Sequence, residues 1–426
     1  MKLVPSMFQV EQTFGPEQRP QKMSDVGVRQ GVLEDIALKT LYLAGPFSVS
    51  ELARKICLSF EVTNEIFFRL RSEMFCQVTG MTGNVQNISI TSQGRARAVE
   101  LLAHSHYAGP APVSLQSYVD QTRKQSVRNV EVHPADVVRA FKHLVIDDET
   151  LRRFGTALNS GASLFLYGPP GVGKTAVAET LSRVLAEDGV WIPYAIEVDS
   201  QIITVFDPVI HRIVKEADSE NRDERWVYCH RPTVLVGGEL TAEMLDLQFN
   251  PSSKYYVGPV QMKANNGVLI IDDFGRQRIS PDEMLNRWVV PLDRAIDFLT
   301  MAGGRKIEIP FEMLIVFATN MDPAELVDPA FLRRIQTKVK LGALSDAQFA
   351  EIFRRIADER GLATEAGLIG EVISVIRNTL SLELRACYPR DLINQICWAA
   401  KYEGKKPMLD RHGLMQAVEA YFPEKS

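Results

Sequence analysis

The spacing of hydrophobic residues changes twice along the chain. From Gly31 to His106, apolar residues recur at helical spacing in three segments, alternate in two short segments around a Gly-rich turn, and then return to helical spacing. From Val127 to Leu341, short runs rich in β-branched residues alternate with helical segments, and beyond Leu341 only helical spacing remains. The pattern therefore predicts a small α+β unit, an α/β unit with a parallel sheet, and an all-α unit.

These changes divide the chain into five segments. Residues 1–29 are polar, are interrupted by prolines and a glycine, and are predicted to form a flexible tail. Pro110 and Pro112 mark residues 107–126 as a linker with room for one short helical turn. The predicted domains are a helix–hairpin–helix domain over residues 30–106, an α/β subdomain over residues 127–341 and an all-α lid over residues 342–426.

Composition excludes several classes of protein. Hydrophobic residues make up 46% and charged residues 24% of the 426 residues, which is typical of a globular protein with more than one domain. The five cysteines include no C-x-x-C pair, so neither a disulfide framework nor a zinc site is indicated. No apolar run reaches the roughly 18 residues of a membrane span, and the N-terminal segment lacks the apolar core of a signal peptide. We expect no membrane insertion and a cytoplasmic location.

A phosphate-binding loop follows the first predicted strand of the α/β subdomain. The segment "SLFLY" runs into "GPPGVGKT", and a helical pattern follows, which is G-x-x-x-x-G-K-T in the required strand, loop, helix context. Lys174 is expected to reach the β- and γ-phosphates of ATP, and the Thr175 hydroxyl to ligate Mg²⁺. A chance match in a Gly/Pro-rich turn is the alternative, which the flanking elements disfavour. The predicted nucleotide-binding residues are Gly168, Pro169, Pro170, Gly171, Val172, Gly173, Lys174, Thr175 and Ala176.

Two adjacent carboxylates end a later buried strand, "GVLIIDD". Like charges this close repel one another unless they lie in solvent or face a cation. Downstream of a phosphate loop, the first acid, Asp272, is predicted to hold Mg²⁺ directly or through water. The second, Asp273, is predicted to be the base that orients the attacking water. A turn with two solvated acids is the alternative.

With these motifs in place, residues 127–426 resemble AAA+ ATPases. The resemblance implies an α/β fold with a P-loop AAA+ parallel sheet and a C-terminal all-α lid. In that family a further strand ends in a polar residue, sensor 1, and "LIVFATN" places Asn320 there. An arginine finger follows, and "DPAFLRRI" offers Arg334, which we favour, or Arg333. A second sensing arginine lies in the lid, and "CYPRDLINQI" supplies Arg390.

The resemblance also implies an assembly and raises a question about rate. A finger near the subunit edge acts on the nucleotide of a neighbour, so a homo-oligomeric ring is implied, with a homohexamer as the family expectation. AAA+ ATPases most often carry Glu where Asp273 stands. The shorter side chain moves the carboxylate by about 1 Å, and a misplacement on that scale can cost about 10²-fold in rate. We therefore expect slow turnover, or turnover that requires a partner.

Two further segments bear on the subgroup of ATPase. "DFLTM", "AGGR" and "KIEIP" predict a β-hairpin just before the sensor 1 strand. A hairpin there resembles the subgroup that contains MoxR-type chaperones and magnesium chelatase ATPase subunits, and an irregular loop is the alternative. Tyr255 and Tyr256 in "YYVG" resemble the pore loop of ring unfoldases, but they lie too near the magnesium-binding strand, so packing or a substrate contact away from the axis is preferred.

The N-terminal domain separates two classes of function. Its order of three helices, a hairpin and a closing helix resembles a small α+β winged helix-turn-helix domain. Residues 31–106 carry seven basic and seven acidic residues, whereas specific DNA binding usually needs a basic footprint. We therefore favour an ATPase that remodels a protein client or complex, with this domain as an adaptor. A DNA-acting ATPase, for transcription activation, helicase loading or transposition, is the alternative, so a nucleic-acid partner is possible but not favoured.

Overall fold

The N-terminal domain contains four helices and a three-stranded antiparallel sheet. The fold is that of a computed structural model, which describes residues 16, 18–83, 85–186, 188–214, 222–365 and 367–422. The elements of this domain are α1 (Gln30–Ala44), β1 (Phe47–Ser48), α2 (Val49–Ile56), α3 (Phe60–Ser72), β2 (Cys76–Thr82), β3 (Val85–Ile90) and α4 (Ser92–His104). The sheet order is β1-β3-β2, and the predicted sequence of helices and hairpin is present.

The last part of the predicted tail belongs to this domain. Val26 and Val28 lie in its hydrophobic core, so residues 18–29 are not a flexible tail. The buried Arg225 side chain donates to the Val26 carbonyl at 2.8 Å and to the Pro112 carbonyl at 3.2 Å. Its charge is balanced by Asp223 at 2.8 Å, so a buried ion pair holds the segment in place. The rest of the predicted tail, residues 1–15 and Glu17, lies outside the described residues.

The prediction of a linker over residues 107–126 is also wrong, because this segment is folded. Residues 107–126 contain β4 (Val113–Ser114) and α5 (Leu115–Lys124), a helix of ten residues. Strand β4 lies at the edge of a sheet that belongs to the α/β subdomain. Tyr118 is buried, and its hydroxyl accepts a hydrogen bond from Asn265 at 2.9 Å. The prolines that suggested an extended segment cover only its first six residues, and the polar helix that follows buries one face.

The α/β subdomain is built on a five-stranded parallel sheet. Its elements, with those inserted between the strands, are α6 (Pro134–Phe141), α7 (Asp148–Ser160), β5 (Ser163–Tyr167), α8 (Lys174–Leu185), β6 (Gly189–Pro193), β7 (Ala195–Val198), β8 (Gln201–Thr204), β9 (Trp226–His230), β10 (Thr233–Val236), β11 (Gln248–Asn250), β12 (Tyr255–Val257), α9 (Val260–Ala264), β13 (Val268–Ile271), α10 (Pro281–Arg294), β14 (Ile296–Thr300), β15 (Lys306–Pro310), β16 (Leu314–Thr319), α11 (Pro323–Leu326), α12 (Pro329–Leu332) and β17 (Thr337–Lys340).

The order of the parallel strands is β10-β13-β16-β5-β17. The strand that precedes the phosphate loop therefore lies inside the sheet, between β16 and β17, and β13 lies on the far side of β16. All four pairs of neighbouring strands are parallel. The carboxyl ends of β5, β13 and β16 therefore lie at the same edge of the sheet. The sheet is buried by apolar side chains on both faces, as continuous apolar strands require. The predicted α/β fold with a parallel sheet is confirmed.

Further strands outside this sheet contact the N-terminal domain. Strands β11-β12-β8-β7-β4 form one sheet, and β6 and β9 pair separately. The main-chain N–H of His106 donates to the Ser253 carbonyl at 2.9 Å, and the ring of Tyr107 packs edge-on against Tyr255 at 5.6 Å. The hairpin predicted before the sensor 1 strand is present as β14 and β15, paired from Ile296–Pro310 to Thr300–Lys306.

The C-terminal helices follow directly on the sheet. They are α13 (Asp346–Glu359), α14 (Leu368–Ser374), which continues as a π-helical turn over Val375–Thr379, α15 (Cys387–Tyr402) and α16 (Arg411–Tyr421). They enclose a separate hydrophobic core around residues such as Phe349 and Leu392. The predicted all-α lid is therefore present.

Candidate functional site

The phosphate loop lies at the carboxyl end of β5 and leads into α8. Gly168 has φ +146°, and a Cβ atom there would stand 2.0 Å from the Leu341 carbonyl oxygen at the end of β17. Gly173 has φ +94° and is the residue that precedes the first turn of α8. Side chains at these two positions would be strained or would clash, which explains why the loop carries glycine there. The N-terminus of α8 is thereby left open to an anion.

Lys174 is the first residue of α8, and its ammonium group is held inside the loop. It donates to the carbonyls of Gly168 at 3.0 Å and Pro169 at 2.9 Å, and to Asn320 Oδ1 at 2.6 Å. Burial lowers the pKa of Lys174, although the nearby Asp272 carboxylate favours its charged form. An ammonium group with only neutral acceptors and no carboxylate in direct contact is suited to an anionic ligand.

The two acids at the end of β13 have different partners. Asp272 Oδ2 accepts a hydrogen bond from the Thr175 hydroxyl at 2.7 Å. Asp273 Oδ1 accepts one from Asn320 Nδ2 at 3.0 Å. Since Asn320 also contacts Lys174, the sequence-predicted residues from three parallel strands form one connected network. Asp273 has φ +49°, a left-handed conformation that Asp and Asn adopt more readily than most residues.

A cavity of about 860 Å³ opens over this network. Its polar end includes Lys174, Thr175, Asp272, Asp273 and Asn320. The opposite end is apolar and combines the segment 143–146 before α7 with residues of the lid. Sequence reasoning missed the apolar end, whose residues include His143, Leu144, Val145, Ile146, Leu344, Ile352 and Ile356. They come from two distant segments with ordinary core composition, so only the packing of the lid against residues 143–146 reveals them.

The lid contacts the α/β subdomain at two places, one in the phosphate loop and one before α7. The main-chain N–H of Cys387 donates to the Gly171 carbonyl at 3.0 Å. Arg355 donates to the Lys142 carbonyl at 2.8 Å. Arg390, the predicted second sensing arginine, lines the cavity, with its guanidinium 3.3 Å from Asp391. The structure thus brings Arg390 to the same cavity as the loop.

The two candidate finger arginines lie outside this cavity. Arg334 is 26% exposed in its side chain and donates through Nε to both carboxylate oxygens of Asp293, at 3.0 and 2.9 Å. Its Nη1 donates to the Ala330 carbonyl at 3.0 Å. The Arg333 side chain is exposed and, within the described part of the chain, forms no hydrogen bond or ion pair. Neither arginine lines the cavity of its own chain.

The two tyrosines of "YYVG" are engaged within the chain. Tyr256 is 4% exposed, and its hydroxyl accepts a hydrogen bond from the Ala302 N–H at 2.8 Å. Tyr255 packs against the N-terminal domain through Tyr107. Both side chains are therefore used in packing. This agrees with the interpretation that the sequence favoured over a pore loop.

The residues present fit a magnesium ion. The Thr175 hydroxyl and the Asp272 carboxylate are hard oxygen ligands that lie 2.7 Å apart beside the loop, and Mg²⁺ is commonly bound by one or two protein oxygens together with phosphate and water. No cluster of three or more His, Cys, Asp or Glu residues suited to a metal occurs in the described ranges. None of the described helices has the length and apolar character that a membrane span requires.

Comparisons with known proteins find similarity at low identity. A family described as a domain of unknown function, DUF8689, matches residues 345–420, which lie in the lid. Lon protease of Campylobacter concisus (strain 13826) is 28% identical over 111 residues, 22% of this chain and 14% of that protein. Lon protease of Roseiflexus castenholzii (strain DSM 13941 / HLO8) is 22% identical over 274 residues, 62% of this chain and 29% of that protein. The chain thus spans less than a third of the length of either relative.

Solved structures give a similarly distant likeness. The RuvB Holliday junction branch migration motor of Thermotoga maritima is 12% identical, with a TM-score of 0.37 over 65% of this chain and 69% of that one. Domain III of the Thermotoga maritima replication initiation protein DnaA is 13% identical, with a TM-score of 0.38 over 68% of this chain and 99% of that one. At such scores the fold assignment rests on the strand order and the loop described above.

Proposed function

We propose that this protein binds and hydrolyses Mg-ATP as an AAA+ ring ATPase and uses the energy to remodel a protein client or complex. The observation that carries the proposal is the connected network of Lys174, Asn320 and Asp273, with Thr175 and Asp272 beside it, at the polar end of a cavity whose other end is apolar. A triphosphate suits the polar end, and an adenine base suits the apolar end.

Each residue of the network has a distinct proposed role. Lys174 leaves the loop carbonyls to bind the β- and γ-phosphates. Thr175 and Asp272 hold Mg²⁺, which neutralises charge on the phosphates when bound. Asp273 accepts the proton of the attacking water, and Asn320 orients that carboxylate through its 3.0 Å hydrogen bond. Arg390 contacts the bound nucleotide from the lid.

The exposed face of α3 favours a protein client over duplex DNA. Phe60 and Phe68 on this helix are 43% and 50% exposed, and Glu61 and Glu65 share the exposed surface. Arg69 is paired with Glu34 at 3.4 Å. Exposed aromatic rings beside carboxylates suit a protein surface, whereas DNA phosphates would be repelled. The domain is therefore proposed to be an adaptor for a protein.

The choice between the two partners is tested by a gel shift with the whole protein. We expect no complex with duplex DNA at micromolar protein and low salt, where electrostatic binding is strongest. A duplex-binding protein of similar size serves as the positive control. Tight binding that weakens steeply with added salt would reverse the order of the two functions. Retention of a protein from the native cytosol by the ATP-loaded form, but not by the ADP form, would identify the client.

Arg334 is predicted to act on the nucleotide of a neighbouring subunit. Because it lies outside the cavity of its own chain, Arg334→Ala should leave ATP binding nearly intact and lower kcat by about 10³-fold or more, the range for arginine fingers. The measurements are equilibrium ATP binding and steady-state ATPase rate at saturating Mg-ATP.

Asp293 provides the matched control for this prediction. Asp293→Ala removes the same ion pair but keeps the arginine, so it should retain most of the activity. Equal losses in Arg334→Ala and Asp293→Ala would mean that the pair is only structural. Normal hydrolysis by Arg334→Ala together with loss in Arg333→Ala would assign the finger to the neighbouring residue.

A further inference from the structure

The residues after the two acids form a closed turn. Asp273 and Gly275 have φ values of +49° and +101°. Gln277 joins the two ends of the turn, since its Nε2 donates to the Asp272 carbonyl at 2.9 Å and its Oε1 accepts from the Gly275 N–H at 2.8 Å. A Cβ atom on Gly275 would stand 2.7 Å from Leu326 Cδ2, so the turn is also packed closely against α11. The main chain at the next residue, Arg276, is therefore held in place.

This turn places Arg276 at the polar end of the cavity. Arg276 lines the cavity together with Asp272, Asp273 and Asn320, and its main-chain N–H donates to the Asp273 carbonyl at 3.0 Å. Asn320 contacts both Asp273 and Lys174. A single series of contacts therefore links Arg276 to the lysine that is expected to bind the terminal phosphates.

The charge of Arg276 has no partner within the described part of the chain. The other two arginines that line the cavity do have carboxylate partners, since Arg355 pairs with Glu351 and Arg390 with Asp391. The nearest acids to Arg276 in sequence do not pair with it in the described residues: Asp272 accepts from Thr175 and Asp273 from Asn320. The guanidinium is thus available to an anion that enters the cavity.

We propose that Arg276 binds the terminal phosphate of a nucleoside triphosphate held by its own subunit. The proposal rests on the proposed function and names an additional binding residue for the same site. A guanidinium at this position favours a triphosphate over a diphosphate, because Arg276 lines the cavity together with the acid and the asparagine that the proposed function places at the γ-phosphate. A guanidinium that reaches this phosphate would also stabilise the negative charge that the transferred phosphoryl group develops.

Binding of ATP and ADP to Arg276 variants tests the proposal without relying on turnover. Fluorescent analogues of both nucleotides are titrated into wild type, Arg276→Ala, Arg276→Lys and Arg278→Ala. We expect Arg276→Ala to weaken ATP about 10-fold or more, the cost of one charge-assisted hydrogen bond, and to change ADP less than about twofold. Arg276→Lys should recover part of the ATP affinity. Arg278 is exposed, lies two residues further on and does not line the cavity, so Arg278→Ala should match wild type.

The outcomes separate this proposal from the proposed function. If Arg276→Ala leaves ATP affinity unchanged, or weakens ATP and ADP equally, Arg276 does not bind the terminal phosphate. If wild type itself binds neither nucleotide while circular dichroism shows a folded chain, the proposed function fails, and with it this inference. A thermal melt of each variant shows whether a loss of binding is caused by unfolding. If Arg276→Ala is unfolded, the affinity of Arg276→Lys for ATP and ADP tests the proposal in a variant that keeps the positive charge.

Discussion

Lys174→Ala is expected to abolish ATP binding at concentrations that saturate the wild type. The substitution removes the positive charge that the geometry places at the centre of the loop, where it already has three acceptors and would exchange them for phosphate oxygens. Loss of two charge-assisted hydrogen bonds corresponds to an affinity decrease of roughly 10²- to 10³-fold or more. Isothermal titration calorimetry with Mg-ATP measures it directly, and ATPase activity should fall below detection in the same preparation.

Asn320→Ala is the control for this substitution. It removes one of the three acceptors of Lys174 but keeps the charge, so ATP affinity should change only a few-fold while hydrolysis falls. Wild-type affinity for ATP in Lys174→Ala would refute the assignment of the phosphate site. Matching circular dichroism spectra for both variants would show that the loop substitution does not unfold the α/β subdomain.

The parts of the fold that could be predicted are those with strong local signals. Continuous apolar runs ending in glycine, acid or asparagine identified β5, β13 and β16, and helical spacing identified the lid. The residues at the ends of the helices were harder to predict. The second helix begins after Ser48, whose reciprocal hydrogen bonds with Glu51 form a capping box. The spacing Ser48-x-x-Glu51 carried that signal.

The errors in the tail and the linker have one physical cause. Both segments are short, polar and interrupted by proline, so their hydrophobic periodicity is weak. Their order comes from a distant partner, the buried Arg225, whose guanidinium bonds to carbonyls of both segments. A long-range contact of this kind leaves no local pattern. The same reasoning applies to the apolar end of the cavity, which exists only once the lid packs against residues 143–146.

The polar end of the site is the part that sequence motifs predicted most completely. Lys174, Asn320 and Asp273 come from three separate segments, and the structure joins them by hydrogen bonds. The motifs could do this because parallel strands bring their carboxyl ends to one edge, so residues at strand ends converge whatever their separation in sequence. The finger is different, since its target lies in another chain, and its role stays a prediction.

Asp273→Asn is expected to bind ATP normally and to lose most hydrolysis. Asparagine tolerates the left-handed backbone at this position, and its side-chain oxygen can still accept from Asn320, so the turn should keep its shape. It cannot accept a proton, which should lower kcat by about 10²- to 10⁴-fold. Asp272→Asn should differ by also weakening the dependence of ATP affinity on Mg²⁺, because Asp272 contacts Thr175 rather than Asn320.

Asp273→Glu tests whether the short side chain of Asp273 limits the rate or whether the site is adapted to it. We expect this substitution to slow turnover. The position has φ +49°, where a longer side chain without the local hydrogen bonds of Asp or Asn is disfavoured by roughly 1–2 kcal/mol. The added methylene would also move the carboxylate by about 1 Å from the Asn320 amide that now holds it, a displacement that can cost about 10²-fold. The test is the steady-state ATPase rate at saturating Mg-ATP for wild type and the three aspartate variants. A faster Asp273→Glu enzyme would mean that the native carboxylate is too short for its water. An Asp273→Asn enzyme that turns over at the wild-type rate would remove Asp273 from catalysis and leave it only the structural role of closing the turn before Arg276.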